Sequence, residues 1–441
     1  MNTDVKEVRE GYKMTELGEI PEEWEVNTIG ETFDIFGGMP LPRTQTGEGD
    51  VFYLHYGDIH KSNKSIFNTA VDRVWLPMVN SNKKKLKEEA YLQNGDLVFA
   101  DASEDYVDIG KNVVVKIERN DRFLAGLHTI VAREKGKNLF IGYKKYCFKT
   151  EYVKKQLALL ATGSTVLGIS KPNLAKIKFL NPPLEEQQKI AEVLTTVDAQ
   201  IEINEKLIEK TEELKKGLMQ KLLTKGIGHT QYRITELGEI PAEWEIFRLE
   251  ELSERILVGL ATSVTKHYKE SGIPIIRNLN IKKGYFDDSK MLYLDEDFCK
   301  KQKSKAVNTD DVITVHTGSN LGLTCLVPEK YNGSQTFTTL ITTTKKKVLD
   351  PRYLSQHMNS YLGIKEINRL QVGSGKNNLN VGDLKNYQIA VPSIEEQQKI
   401  AQILSTVDEQ IETYQQEKHK YTELKKGLMQ QLLTGKIRVM V

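Results

Sequence analysis

Two segments of this chain are written twice, almost letter for letter. Thr15 to Glu25 (TELGEIPEEWE) returns as Thr235 to Glu245 (TELGEIPAEWE), and Glu213 to Thr224 (ELKKGLMQKLLT) returns as Glu423 to Thr434 (ELKKGLMQQLLT). The front segments are 220 residues apart and the rear ones 210, so the first intervening stretch is longer by 10. A fixed frame around two unlike inserts predicts one architecture built twice, with the shared task in the frame and an individual task in each insert.

Charge follows the same division. Residues 1 to 25 carry −5 and 226 to 245 carry −3, whereas the inserts 26 to 180 and 246 to 391 carry +6 each. Within the first insert, 111 to 180 holds 15 basic and 4 acidic residues, the footprint expected of a phosphate-binding surface. A chain of 441 residues with 39% hydrophobic side chains has room for about three domains. No apolar run approaches the roughly 20 residues that span a bilayer, and the polar start does not resemble a signal peptide, so cytoplasmic residence is expected. Cys147, Cys299 and Cys325 are far apart and lack ligand spacing, which argues against a zinc site or a disulfide framework.

Proline-marked boundaries at Pro182-Pro183 and Pro392 precede Leu184 to about Lys225 and Ile394 to about Lys436. Both segments lack proline and are rich in good helix formers. Apolar side chains step by three and four at Ile190, Leu194, Val197, Ile201 and Ile208, and again at Ile400, Leu404, Val407, Ile411 and Leu424. This is a coiled-coil seam, with a shortened step before Leu214 and Leu424 that reads as a stammer. Each helix exposes a stripe that the other can cover, and an antiparallel pair of about 60 Å is expected. Asn204 falls on the seam as a polar register residue, or else faces solvent.

The inserts alternate short strand-like runs with turns: Val51 to Leu54, Asp96 to Phe99, Lys111 to Ile117, Ile273 to Arg277, Asp311 to Val315 and Thr338 to Thr342. Each closes with helix, near Glu151 to Leu160 and Pro351 to Leu370. The fold class is therefore α+β, with an internal pseudo-two-fold repeat: two α/β domains separated by two long helices in an antiparallel coiled coil. The expected segments are 1–25, a first insert domain at 26–180, a central region at 181–245, a second insert domain at 246–391 and a final helical region at 392–441.

Candidate contact residues lie in the inserts. The loops at 161–171 and 371–380 offer glycines, hydroxyls, amides and lysines suited to nucleic acid: Gly163, Ser164, Thr165, Lys171, Gly373, Ser374, Lys376 and Asn377. His55, Tyr56, His60, Lys61, Arg277, Asn278 and Lys282 add side chains able to read base edges or hold phosphates. Catalytic motifs are absent. Asn181-Pro182-Pro183-Leu184 lacks the aromatic residue that stacks a flipped base, Gly163 to Ser170 lacks the Walker lysine, and no HExxH occurs. A coiled-coil scaffold that binds only protein, and an enzyme with an unrecognised site, are the competing classes.

The LGEIPxEW segments, the Gly-Ser loops running into Pro then Glu-Glu-Gln-Gln (Pro183 to Gln188, Pro392 to Gln398) and the paired ELKKGLMQ helix ends resemble the specificity subunit of type I restriction-modification systems, over essentially the whole chain. The resemblance implies two target recognition domains, each reading half of a bipartite sequence in double-stranded DNA. It also implies helices that space those domains and dock two methyltransferase subunits, with restriction subunits able to join. On that reading the chain itself is not an enzyme, carries no cofactor and no metal, and leaves S-adenosylmethionine, ATP and magnesium to its partners.

Overall fold

The computed structural model describes residues 8–62, 64–74, 76–81, 86–371 and 378–440. Two compact units emerge, and neither coincides with a simple half of the chain. One joins Met1–Ile203 to Lys418–Val441, and the other is Asn204–Glu417. Each long helix is thus shared between them: Leu184–Lys225, as the sequence predicts, and Ile394–Leu432, which stops short of the predicted end near Lys436.

In the first unit a five-stranded sheet runs Phe33–Gly37, Thr129–Glu134, Leu97–Ala100, Asn112–Lys116, Ile66–Asn68, antiparallel except for its last pair. A second sheet of Phe123–Ala125, Val51–Leu54 and Met78–Val79 adjoins it in sequence. The second unit repeats the plan with four strands in each sheet. Ser253–Val258, Thr339–Thr344, Val312–Val315 and Thr324–Leu326 form one, and Tyr268–Lys269, Leu292–Leu294, Ile273–Arg277 and Gln335–Phe337 the other. In both, a buried aspartate before an inner strand anchors an arginine from another strand of the same sheet, the adjacent one for Arg133 to Asp96 at 2.7 Å and the next but one for Arg255 to Asp311 at 2.9 Å. The helical stretch predicted at 351–370 is two helices, Pro351–Met358 and Tyr361–Gln371. Between them Asn359 donates to the carbonyls of Thr324 and Ser355, at 2.7 and 2.8 Å, and so pins the break to the sheet.

The near-identical sequence segments meet at one point in each unit. Trp24 and Trp244 are buried, and each donates Nε1–H to a carboxylate at the start of a long helix, Glu186 or Glu396, at 3.2 Å. The end of the other long helix packs on the same indole through Gly435 or Gly226. Both glycines have φ near +65°, and a Cβ at Gly226 would lie 2.5 Å from Glu396 and 2.8 Å from Trp244. The neighbouring glutamine of the Glu-Glu-Gln-Gln run ties the insert to the helix. Gln187 donates to the carbonyls of Asn138 and Pro182, and Gln397 donates to those of Val348 and Pro392, all at 2.9 to 3.0 Å.

Burial corrects the seam. Ile190, Leu194, Val197, Ile400, Leu404 and Val407 are buried and Ile201, Ile208 and Ile411 partly so, but Leu214 and Leu424 are 53% and 46% exposed. The positions facing inward are the lysines one residue later. In the first unit Lys425 pairs with Asp198 at 2.6 Å, and in the second Lys215 pairs with Asp408 at 2.5 Å: one antiparallel contact made twice, 210 residues apart. With lysine restored to the seam the three-four stepping is unbroken, so there is no stammer. A long aliphatic stem fills an apolar position while its ammonium reaches a carboxylate at the edge. Asn204 is 2% exposed and belongs to the seam rather than to solvent.

Asp198 also accepts from Lys145 at 2.5 Å and from the Tyr146 hydroxyl at 2.7 Å, which fastens the insert to both helices of the first unit. Burial alone would raise this carboxyl, but Lys145, Lys425 and Tyr146 together hold it below the usual carboxylate range. A depressed folded value stabilises above the unfolded pKa, and that stability is lost as pH falls through the folded one. Asp198→Asn is expected to cost about 2 kcal/mol at neutral pH, since it strands two lysines. Urea unfolding should also show a shallower loss of stability on acidification below about pH 4; an unchanged acid limb would exclude the assignment.

Candidate nucleic-acid interface

In the first unit the strand Val51–Leu54 delivers His55 to the N-cap of the short helix Tyr56–Lys61. The backbone N–H of His55 donates to Asp58 Oδ2 at 3.1 Å, and Arg43 holds the other oxygen of Asp58 at 2.7 Å. Tyr56 stands among three imidazoles, with ring centres 4.6 Å from His55, 5.9 Å from His60 and 5.2 Å from His128. His60 Nε2 lies 2.8 Å from the carbonyl of Ala102. The strand Ala102–Ser103 in turn pairs with Leu167–Gly168, the root of the predicted Gly-Ser loop. His55, Tyr56, His60 and that loop, distant in sequence, therefore share one region.

The loop is closed by two bonds between Thr162 and Gly168, at 2.9 and 2.7 Å, and residues 162 to 166 are all exposed. Gly163 has φ +124°, and a Cβ there would sit 2.1 Å from the carbonyl oxygen of Val166, so the turn admits only glycine. Ser164 and Thr165 occupy the exposed tip. Lys171 opens the next helix, and its ammonium lies 3.8 Å from where a Gly37 Cβ would be. Lys61 is exposed at the end of its helix.

His128 and Asp101, neither legible in the sequence, complete the region. His128 has φ +54° and sits 3.1 Å from the Asp101 carboxylate. Burial raises the Asp101 carboxyl above the usual range although His128 opposes it, and burial lowers the His55 imidazole. Thr338, 210 residues beyond His128 and likewise just before a long strand, has φ +51°. A β-branched residue in that conformation is strained, and the same strain at both copies marks the turn as a built feature.

The second unit offers related chemistry with other residues. Arg277 occupies the cap position of His55, its N–H donating to Asn280 Oδ1 at 3.0 Å, and its guanidinium reaches the carbonyl of Lys290 at 2.5 Å. Asn278 donates to the carbonyl of Thr317 at 3.4 Å. The hydroxyl of Thr317 bonds Asn378 at 2.6 Å, so the segment around the second predicted loop runs beside the His316–Gly318 turn, as the first does beside Asp101–Ser103. Gly373, Ser374, Lys376 and Asn377 lie outside the described residues. Lys282 is drawn to Asp287 at 3.6 Å.

The local excess of +11 does not form a single surface. Lys144 is buried against Glu134 at 2.5 Å, Lys145 holds Asp198, Arg133 holds Asp96 and Lys149 donates to Ser65 at 2.6 Å. Those cations are internal fasteners. Among the described residues no His, Cys, Asp or Glu cluster is arranged to hold a metal, all three cysteines are free and buried, and no helix is long and apolar enough to cross a membrane.

Relief of the turn strain is directly measurable. Thr338→Gly should raise the urea midpoint of unfolding by the equivalent of about 1 kcal/mol, since glycine takes positive φ without cost. A loss of stability would show instead that the threonine side chain holds the turn.

Comparison with known proteins finds the same two-fold repeat. The family model for the type I restriction modification DNA specificity domain matches residues 21–213 and 241–423, once per repeat. The chain is 27% identical over 443 residues to the type I restriction enzyme MjaVIII specificity subunit of Methanocaldococcus jannaschii, covering 98% of this chain and 96% of that one. Its fold is similar to the crystal structure of the type I restriction-modification S subunit from M. genitalium, with TM-score 0.58, 15% identity, and 93% and 96% of the two chains covered. A second solved chain, from a study of complex assembly and conformational transition of the type I R-M system, aligns with TM-score 0.54 at 15% identity, covering 95% of this chain and 99% of that one. With two matches that together span most of its length, the chain belongs to the type I restriction-modification DNA specificity family.

Proposed function

We propose that this chain selects a bipartite sequence in duplex DNA, each recognition domain reading one half. The observation that carries this reading is the doubled site. A capped turn at the end of a strand, bearing His55 and Tyr56 in one unit and Arg277 and Asn278 in the other, stands next to a loop rooted on a neighbouring strand end. The frame around these turns is repeated, and the side chains they present are not. Arginine and asparagine match guanine and adenine edges in the major groove, imidazoles donate or accept, and Lys61 and Lys171 suit phosphates.

On this reading the chain performs no chemistry. Methyltransferase subunits dock on the helical frame and bring S-adenosylmethionine, restriction subunits bring ATP and magnesium, and the assembly works where DNA is accessible, in the cytoplasm. The twice-made contacts of the frame suit two identical partners. Linking two half-site readers covalently turns the second encounter into an intramolecular one, which raises selectivity.

Two experiments test the reading. Replacing residues 26 to 180 with the corresponding insert of another family member should change one half of the methylated sequence in a host carrying the methyltransferase, and leave the other half intact; loss of both halves would refute domain independence. Inserting one heptad into each long helix, after Ile203 and after Glu417, keeps both antiparallel ion pairs in register. It should lengthen the spacer between the half-sites without altering either, and an unchanged spacer would refute the helices as its determinant.

A further inference from the structure

In the first unit a cavity of about 250 Å³ lies beside the end of the short helix that carries His60. Four lysines line it, Lys64, Lys111, Lys149 and Lys154, together with Ser62 and Asn112. Three of the lysines have carboxylate partners: Lys64 pairs with Asp72, Lys111 with Asp108 at 3.4 Å and Lys154 with Glu151 at 3.5 Å. Asp108 also borders the cavity, already neutralised by Lys111 and standing 3.6 Å from His60. Lys149 differs. It is largely buried, its ammonium donates to Ser65 Oγ at 2.6 Å, and it makes no ion pair among the described residues. Burial, with Lys425, Lys145 and Lys111 nearby, lowers it to about 7. An ammonium held in that way is costly unless an anion joins it.

Asn112 narrows the choice of anion. It is 3% exposed, its Nδ2 is committed to the carbonyl of Gly110 at 3.3 Å, and its Oδ1 has no partner. A buried acceptor left in that state asks for a donor. Sulfate and a phosphodiester have only acceptor oxygens at neutral pH. A monohydrogen phosphate, or a singly protonated phosphate monoester, has acceptor oxygens for the lysines and one O–H to give.

We propose that this cavity is a binding site for a protonated phosphate group, free or at the end of a monoester, with Lys149 and Lys111 on its oxygens and its hydroxyl donated to Asn112 Oδ1. Lys111 also donates to the carbonyl of His60 at 2.9 Å, so an occupied cavity braces the turn that carries the recognition residues. The site stands independently of which DNA sequence is read, or of whether DNA is read at all.

The test is thermal unfolding of the full chain, prepared in phosphate-free buffer, with inorganic phosphate, sulfate, dimethyl phosphate or adenosine monophosphate added at equal ionic strength. Binding to the folded state raises the midpoint by mass action. Expected is a rise of several degrees with phosphate and at least a several-fold smaller one with sulfate and dimethyl phosphate. A response to adenosine monophosphate as well assigns the terminal monoester, and a response to phosphate alone assigns the free ion. Lys149→Met should have a higher midpoint than the parent without phosphate and no phosphate response. Asn112→Leu should respond equally to phosphate and sulfate, and it decides the matter if Lys149→Met does not fold. Equal responses of the parent to phosphate, sulfate and dimethyl phosphate, or an undiminished phosphate response in Lys149→Met, would overturn the proposal.

Discussion

A single hydrogen-bonded knot, formed once in each unit, sets the terms for everything else in this protein. An indole from the front segment, a carboxylate from the first turn of one long helix and a glycine from the last turn of the other converge within van der Waals contact. Each partner is useless without the other two. The indole N–H would be buried without an acceptor, the carboxylate would be desolvated without a donor, and a side chain in place of the glycine would collide with Glu396 and Trp244 in the second unit and with Pro21, beside Trp24, in the first. The carboxylate is completed differently in the two units, by Arg438 on Glu186 and by His229 on Glu396 at 3.0 Å. That difference shows which part of the knot tolerates change.

Much of this was legible in the letters because repetition reports constraint. Both helix starts, the end of the first helix, the seam up to Ile208 and Ile411, and several strands follow from periodicity and proline placement, which are local signals. The lysine at the seam was not legible, because a stepping rule built on apolar residues passes over a side chain whose stem is apolar and whose tip is charged; Leu214 beside Lys215 was the more obvious choice. The break at Asn359 was hidden for a related reason. It is dictated by bonds to Thr324, 35 residues away, and no window around 359 contains that partner.

The recognition region was legible only in pieces. His55, Tyr56, His60 and the Gly163 loop stand out as residue types, but their convergence depends on the pairing of Ala102–Ser103 with Leu167–Gly168, a long-range contact. His128 carried no signal at all, since its role lies in a backbone angle. Charge counting misled for the same reason in reverse: it assumed that every lysine faces water, whereas Lys144 and Lys145 are fastened inward to Glu134 and Asp198.

The first unit is completed by Lys418–Val441, whereas the second is one continuous stretch from Asn204 to Glu417. As the polypeptide leaves the ribosome, the second unit has all its parts soon after Glu417 emerges. The first has waited since its own insert was made, lacking Leu432 and Leu433 for its core and Arg438 for Glu186. The earlier-made domain is therefore the later to close, with loop-closure entropy spanning nearly the whole chain. A lesion within Leu432–Arg438 would therefore open the unit whose insert lies more than two hundred residues upstream, and leave in place every part of the one beside it in sequence.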